Sequence, residues 1–544
     1  MPGNSFSKKL IKEAYEKNEI SDEELKNNAE IIKQNYDQLY ENRKSKIEYD
    51  KEKIKEIAYE VAKESPILLK NNNVLPLREN EKILVVGELF EHPNVQGFGS
   101  SRINYENKNS FINEFNKYDD KFTYVKGYSL DNKNDKKLAK EAINASDEFE
   151  KIIFFMGYIY DDCEGVYRKN IDLPLNQLLL LNELIKLNKQ IVVVLNTGNV
   201  VELPFKNKVD GILQSGLLGE VHEKVITEIL FGIINPSGKL NETYPNKLKD
   251  NPFYFNNSKN HNITNYKESI YTGYRYYDSF KKDVCYPFGY GLSYSKFIFS
   301  NLQVTKDDEY RYNISFIVEN DSDIDGSEVC QVYVRKKTSN TYHSYQQLKG
   351  FKKVFIKAHE KVNVQIILED HTFEFYNDNS HMFEIESGVY EICVGNSSRN
   401  IELVDFINIE GNETELRFKV SDLSSYYRYK TIEDFEFQKL LGFSVLENKS
   451  NKIDFNSNLS VLKNNALGKI IYENIKKEYL AQNNFLPSNM ALEMLDFLPI
   501  RMLVIMSNGQ LSYEFAKEII NAVNSGLISG TIKLLKTKKK ISRK

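Results

Sequence analysis

Tyr286-Pro287-Phe288-Gly289-Tyr290-Gly291-Leu292-Ser293-Tyr294 is the stretch from which the fold is read. Aromatic side chains alternate with two glycines, and a strand-like run follows at once. Proline fixes one backbone torsion, and each glycine permits torsions that a β-carbon would forbid. The combination predicts a compact, rigid join between two domains of different character.

Upstream of the join, short apolar runs alternate with amphipathic helical patterns. The helix Ile54–Lys63 leads into Pro66-Ile67-Leu68-Leu69-Lys70-Asn71, then a strand at Lys82–Gly87. Further strands are predicted at Phe122–Val125, Ile152–Met156, Ile191–Leu195 and Ile212–Gln214. Helices fall at 136–147, 175–188 and 220–231. This alternation predicts a mostly parallel sheet covered on both faces. Downstream the helical periods stop. Tyr312–Val318, Glu328–Val334, Val362–Leu368 and Val389–Val394 alternate or are β-branched, with turns such as Asp325-Gly326 between them. Regular short strands over about 100 residues predict a sandwich of the immunoglobulin-like kind.

The ends are helical. Leu10, Ile11, Ala14 and Tyr15, then Leu25, Ala29, Ile32 and Tyr36, form two apolar stripes, and Ser21 with Glu24 forms a capping box. A polar connector at 410–428 leads to a last helical region, 431–544, whose clearest helix is Tyr513–Val523 opened by Ser512.

Composition excludes several classes. At 544 residues the chain exceeds one core, and 41% apolar content supports real cores. A formal charge of −4 gives no steering field for nucleic acid. The lysine-rich end, Lys533 to Lys544, reads as a solvated terminus. No apolar run approaches the roughly 20 residues that span a bilayer. Cys163, Cys285, Cys330 and Cys393 lie far apart without metal spacing, as reduced cytoplasmic thiols do, although Cys330 and Cys393 fall in strand-like runs that could approach each other. The seven histidines show no metal-ligand spacing and no P-loop is present, so neither metal nor cofactor is expected.

Two loops could carry chemistry. Glu164 lies in Asp161-Asp162-Cys163-Glu164-Gly165-Val166-Tyr167-Arg168, just beyond the Ile152–Met156 strand. Open α/β sheets place ligands there. The neighbouring aspartates disfavour another negative charge, which favours the protonated carboxyl a general acid needs. The bland alternative is an acidic surface loop with Arg168 as its staple. Gly97-Phe98-Gly99-Ser100-Ser101 invites a dinucleotide-binding reading, but Arg102 replaces the third glycine and a loop intervenes after the strand. A tight loop offering Ser100 and Ser101 hydroxyls to a ligand fits better, with an ordinary turn as the alternative. Asn235-Pro236-Ser237-Gly238-Lys239-Leu240 reads as a structural helix stop.

Taken in order, these segments resemble glycoside hydrolase family 3, the bacterial β-glucosidases above all. The resemblance rests on Glu64–Asn71 with Leu75-Pro76-Leu77, Gly97–Ser101, and Glu164-Gly165 with Arg168 and Leu173-Pro174. It continues through Leu230-Phe231-Gly232, Asn235–Leu240, Gly273-Tyr274-Arg275-Tyr276 and the join at 286–294. Residues 299–405 resemble that family's fibronectin type III-like domain, through Glu328-Val329, Gln331-Val332-Tyr333, Leu348–Phe351 and Gly388-Val389-Tyr390. Leu498-Pro499-Ile500-Arg501 resembles a C-terminal extension found in some anaerobe members.

The resemblance implies an α/β sandwich at 51–296, the fibronectin-like domain at 297–408 and a helical extension at 429–544. Residues 1–50 would be the end of a (β/α)8 barrel. It implies Glu164 as acid/base and Ser100 as a pocket-lining hydroxyl, acting on a β-linked glucoside or short oligosaccharide. A retaining mechanism needs two carboxylates about 5 Å apart, and no aspartate here can be assigned as nucleophile. The expectation is a chain inactive alone, served by a separately encoded barrel, with no nucleic-acid or membrane partner. The rival expectation is a non-enzymatic sugar-binding or structural remnant. Tyr167 departs from the family pattern, which has an aspartate before Arg168.

Overall fold

The computed structural model describes residues 5–44, 50–78, 81–97, 102–104, 110–118, 121–131, 136–158, 170–252, 254, 265–445, 452–482, 488–507 and 511–532. Two helices, α1 (Ser5–Glu16) and α2 (Asp22–Lys44), come first. The capping box forms: Ser21 N donates to Glu24 Oε2 at 2.8 Å, and Glu24 N donates to Ser21 Oγ at 3.2 Å. Most of their apolar stripe is exposed, with Ile32 at 69% exposure, while Ala14 and Leu25 are partly buried.

The helix α3 (Lys51–Lys63) opens a six-stranded sheet of β1 (Ile67–Asn71), β2 (Ile83–Val86), β3 (Thr123–Val125), β4 (Lys151–Gly157), β5 (Gln190–Asn196) and β6 (Gly211–Gln214). The spatial order is β1-β6-β5-β4-β2-β3. All neighbours are parallel except the edge strand β1, which runs antiparallel to β6. Val192 to Val194 and Ile152 to Met156 are buried on both faces, so the central strands read as continuous apolar runs. One face packs on α5 (Lys136–Ala145) and α6 (Leu175–Ile185) through Ala142, Leu180, Leu181 and Leu184. The other packs on α3, α4 (Phe111–Phe115) and α7 (His222–Leu230) through Ala62, Phe111, Val225 and Ile229.

A short ladder of β7 (Tyr244–Pro245) and β8 (Val284–Tyr286) precedes the join. Gly289 takes φ +79°, as the sequence implies, but Gly291 is needed for space: a β-carbon there would sit 2.1 Å from the Gly238 carbonyl oxygen. The join is clasped. Asn235 Oδ1 accepts from Ser293 Oγ at 2.7 Å and Tyr294 N at 2.8 Å, while its Nδ2 donates to Ser295 Oγ and to Asp325 O. Lys239 Nζ pairs with buried Glu328 at 2.7 Å and donates to Gly291 O at 2.7 Å. Gln331 Nε2 donates to Gly289 O. The Asn235–Leu240 turn is therefore an interdomain clasp as well as a helix stop.

The β-sandwich packs a three-stranded sheet, order β13-β10-β9, on a four-stranded one, order β12-β11-β16-β17. These are β9 (Phe297–Lys306), β10 (Tyr312–Asn320), β11 (Gly326–Arg335), β12 (Gln347–Ile356), β13 (Lys361–Leu368), β16 (Gly388–Gly395) and β17 (Ile401–Ile409), with a hairpin of β14 (Glu374–Asn377) and β15 (Met382–Ile385). Burial along β10 alternates residue by residue, with Ile314, Phe316 and Val318 in the core. Cys330 faces this core, whereas Cys393 lies on the opposite face of the same sheet beside Tyr333. The two thiols cannot bridge.

The connector at 410–428 is not free. Leu423 and Tyr426 pack with Tyr271 and Phe437, and Tyr426 Oη donates to Lys267 O at 2.9 Å. The helices Ala466–Gln482, Ser488–Phe497, Arg501–Met506 and Tyr513–Asn524 then form a small bundle around Leu459, Tyr472, Leu495 and Ile520. Ser512 caps the last helix by accepting from Phe515 N at 3.1 Å. No described helix is long and apolar enough to cross a membrane.

Candidate active-site edge

Parallel strands deliver their carboxyl ends to one edge of the sheet, and Asn196 ends β5 at its centre. The side chain is 1% exposed and fully engaged. Its Oδ1 accepts from Asn94 N at 2.7 Å, and its Nδ2 donates to Asn94 O at 2.9 Å, Ser215 Oγ at 3.1 Å and Gly216 O at 3.0 Å. One amide thus ties the segment after β2 to the end of β6. The backbone carbonyl of Asn196 also accepts from Tyr158 N at 3.3 Å.

Two glutamines hold the roots of the loops that leave this edge. Gln96 Oε1 accepts from Ile103 N at 2.9 Å and its Nε2 donates to Ile103 O at 3.2 Å, which holds Gln96 and Ile103 together. Gln177, on the buried face of α6, does the same to Gly157. Gly157 N donates to Gln177 Oε1 at 2.9 Å, and Gln177 Nε2 donates to Gly157 O at 3.0 Å. A side-chain amide here copies the pairing of a neighbouring strand and fixes the point where the chain leaves β4. Gly157 itself is demanded by geometry: φ is +152°, and a β-carbon would lie 2.0 Å from Asn196 O.

Ser100, Ser101, Glu164 and Arg168 lie outside the described residues, as do Tyr167 and Cys163. Of the described residues on either side of them, Asn94 and Tyr158 are both hydrogen-bonded to Asn196. Behind the edge, burial pushes the Tyr128 phenol well up, so it stays neutral and donates to Phe155 O at 2.8 Å. Burial also pushes His222 down to about 3, edge-on to the Phe111 ring. Glu88 is held by Lys126 and accepts from Leu130 N at 2.6 Å. No group of three or more His, Cys, Asp or Glu is placed to hold a metal ion among the described residues. Asn196, Gln96 and Gln177 were not singled out from the sequence. A polar residue closing the apolar run Ile191–Leu195 was the available signal for Asn196; a lone glutamine gives none.

Residues 66–294 match the glycosyl hydrolase family 3 C-terminal domain, and 328–398 match the fibronectin type III-like domain. The chain is 32% identical over 532 residues to thermostable beta-glucosidase B of Acetivibrio thermocellus, covering 96% of this chain and 66% of that protein. It is 34% identical over 370 residues to an exo-alpha-(1->6)-L-arabinopyranosidase of Bifidobacterium breve, covering 66% and 49%. Among solved structures, the family 3 beta-glucosidase of Bifidobacterium adolescentis superposes with a TM-score of 0.71 at 33% identity, over 77% of this chain and 62% of that one. Beta-glucosidase 3B of Thermotoga neapolitana in complex with alpha-D-glucose gives 0.64 at 27%, over 76% and 62%. The chain thus spans about half to two thirds of the length of these relatives.

An open α/β sheet clasped to a fibronectin-like sandwich is what the chain shares with these solved beta-glucosidases. The chain belongs to glycoside hydrolase family 3.

Proposed function

We propose that this chain supplies the acid/base half of a retaining β-glucosidase-type active site. Glu164 protonates the departing glycosidic oxygen and then deprotonates water, and Ser100 lines the sugar pocket. The observation that carries this reading is that Asn94 and Tyr158, which precede the segments bearing Ser100 and Glu164, are both hydrogen-bonded to Asn196 within a matched family domain. The chemistry needs a second carboxylate about 5 Å from the first. Under this reading it comes from a barrel domain outside these 544 residues, on the same or a separately encoded polypeptide. The exposed stripe of α1 and α2, with Leu10, Ile11, Tyr15, Ile32 and Tyr36, supports a further packing partner and favours this reading over a stand-alone sugar-binding module.

The same reading divides the chain at 50, 296 and 408, with the helical extension from 429. It places the protein in the cytoplasm, which the free, buried thiols of Cys285, Cys330 and Cys393 support. The substrate is a β-linked glucoside or short oligosaccharide.

The test uses the chain with a family 3 barrel domain and two substrates. Glu164→Gln should slow an alkyl β-glucoside by about 10²–10⁴-fold. A dinitrophenyl β-glucoside, whose leaving group needs no proton, should still form the glycosyl-enzyme, and azide should then restore turnover. Equal loss on both substrates, or none on either, removes Glu164 from the role. Robust hydrolysis by the chain without a barrel removes the need for the second domain.

A further inference from the structure

A cleft of about 360 Å3 opens on the sandwich, between the segment following β11, the β14–β15 hairpin and the packed connector. That volume sits at the small end of the range of about 300–1,000 Å3 typical of ligand sites. It shares no residue with the carboxyl edge of the α/β sheet.

Five rings line it: Tyr342, Phe375, Tyr376, Phe418 and Tyr427. The platform is braced. Tyr342 packs against Tyr426 at 5.5 Å and Tyr427 at 5.9 Å, and Tyr427 Oη donates to Asn340 O at 2.8 Å. Tyr376 is half exposed, and Phe383 packs against it edge-to-face at 5.3 Å. Rings held in this way present their faces without further ordering cost.

The polar lining is open. Gln347 and Asp378 make no side-chain hydrogen bond or ion pair among the described residues, and Arg417, also without one, lies over the Phe418 ring at 4.8 Å with its N–H groups left for a ligand. His343 Nδ1 lies 2.7 Å from the Ser344 carbonyl oxygen, so Nδ1 carries the proton and Nε2 is left as an acceptor. Burial lowers the pKa of His343, so the ring stays neutral. Glu374 is occupied by His371 at 2.8 Å, and Arg417 balances Asp378 in formal charge. The cleft therefore has no excess positive charge with which to hold a phosphate or another anion.

We infer that this cleft is a second ligand site, taking a neutral mono- or disaccharide whose C–H faces lie on the tyrosine rings and whose hydroxyls meet Gln347, Asp378, Arg417 and His343. A sugar joins apolar faces to a rim of donors and acceptors, which is the complement of this lining. The inference does not depend on the role given to Glu164. It also gives the β-sandwich a task of its own: holding one end of a saccharide, or a released product, away from the hydrolytic edge.

Saturation-transfer NMR and calorimetry with glucose and cellobiose on the full chain test the inference. Binding should persist in Glu164→Gln and Ser100→Ala, and should weaken about tenfold in Tyr376→Ala through loss of one stacking face. Asp378→Ala should weaken it independently, with an unchanged melting temperature for both cleft variants. Absence of binding by either sugar, or binding that neither cleft variant alters, would overturn the assignment. Tighter binding of glucose 6-phosphate than of glucose would overturn the neutral-ligand class.

Discussion

Asn196→Ala is the sharpest test of how the two loops are held. The substitution deletes one acceptor and one amide donor at a buried position. Leu195 O already accepts from Ser215 N, so the single Ser215 hydroxyl proton can serve Gly216 O, and the groups left stranded are Asn94 N and Asn94 O. A buried polar group without a partner costs about 1–3 kcal/mol, which sets the loss near 4 kcal/mol. For a domain of this size that corresponds to a fall in melting temperature of about 8–16 °C. Calorimetry reads the shift, and hydrogen exchange should locate faster opening at residues 94–97 and 157–158. Asn196→Asp separates hydrogen bonding from packing. Its carboxylate can still accept from Asn94 N but faces the Asn94 and Gly216 carbonyl oxygens, so the folded state favours the protonated acid. The folded pKa then lies above the unfolded value of about 3.9. Stability relative to the native chain is therefore best below that value and is lost as pH rises through the folded pKa. An Asn196→Ala chain within about 0.5 kcal/mol of the native one, or an Asn196→Asp chain with no pH trend between 4 and 8 (a range of about 4 units), would refute the account.

Three further outcomes are expected. Lys239→Met strands the buried Glu328 carboxylate and should cost about 3 kcal/mol in urea unfolding, with most of the loss recovered in Lys239→Met/Glu328→Leu. His222, lowered to about 3 by burial, stays neutral in the fold while the unfolded chain takes up a proton below about 6.5. Its contribution is therefore complete above that pH and is lost as pH falls toward 3; His222→Phe should flatten this part of the acid limb. Burial pushes Cys330 up to about 12 and Cys393 to about 11, and raises Cys285 as well. A Cys163→Ser chain should then show no thiol reactive toward Ellman's reagent at neutral pH until it is unfolded.

The central sheet was legible because parallel strands buried on both faces are nearly pure runs of Val, Ile and Phe. β4 and β5 were found within a residue or so of their observed ends. The edge strand β1 was not assigned from Ile67–Asn71, because a five-residue run beside Pro66 gives no period. β12 escaped for another reason: Lys352 and Lys353 interrupt its alternation where the strand faces solvent. Glu164 and Ser100 are singled out by motif and lie outside the described residues, whereas the amides that hold the chain on either side of them are not visible in the sequence. Asn196, Gln96 and Gln177 act through amide-to-backbone pairing across 7 to 102 positions, a relation with no local signature. The exposure of the α1 and α2 stripes was equally hidden, since periodicity names an apolar face without naming what covers it.

The nonapeptide between the domains has one more effect. Leu292 bridges Leu68, its backbone N–H donating to the Leu68 carbonyl at 2.8 Å, and Gly238 N donates to Pro66 O beside it. The outward rim of β1 is thereby capped by the very segment that departs for the sandwich. A fragment cut at residue 285 would keep every parallel strand yet bare an unpaired ladder, the template on which sheets from separate molecules zip together. Solubility of the α/β unit is thus written into its connection to the next one.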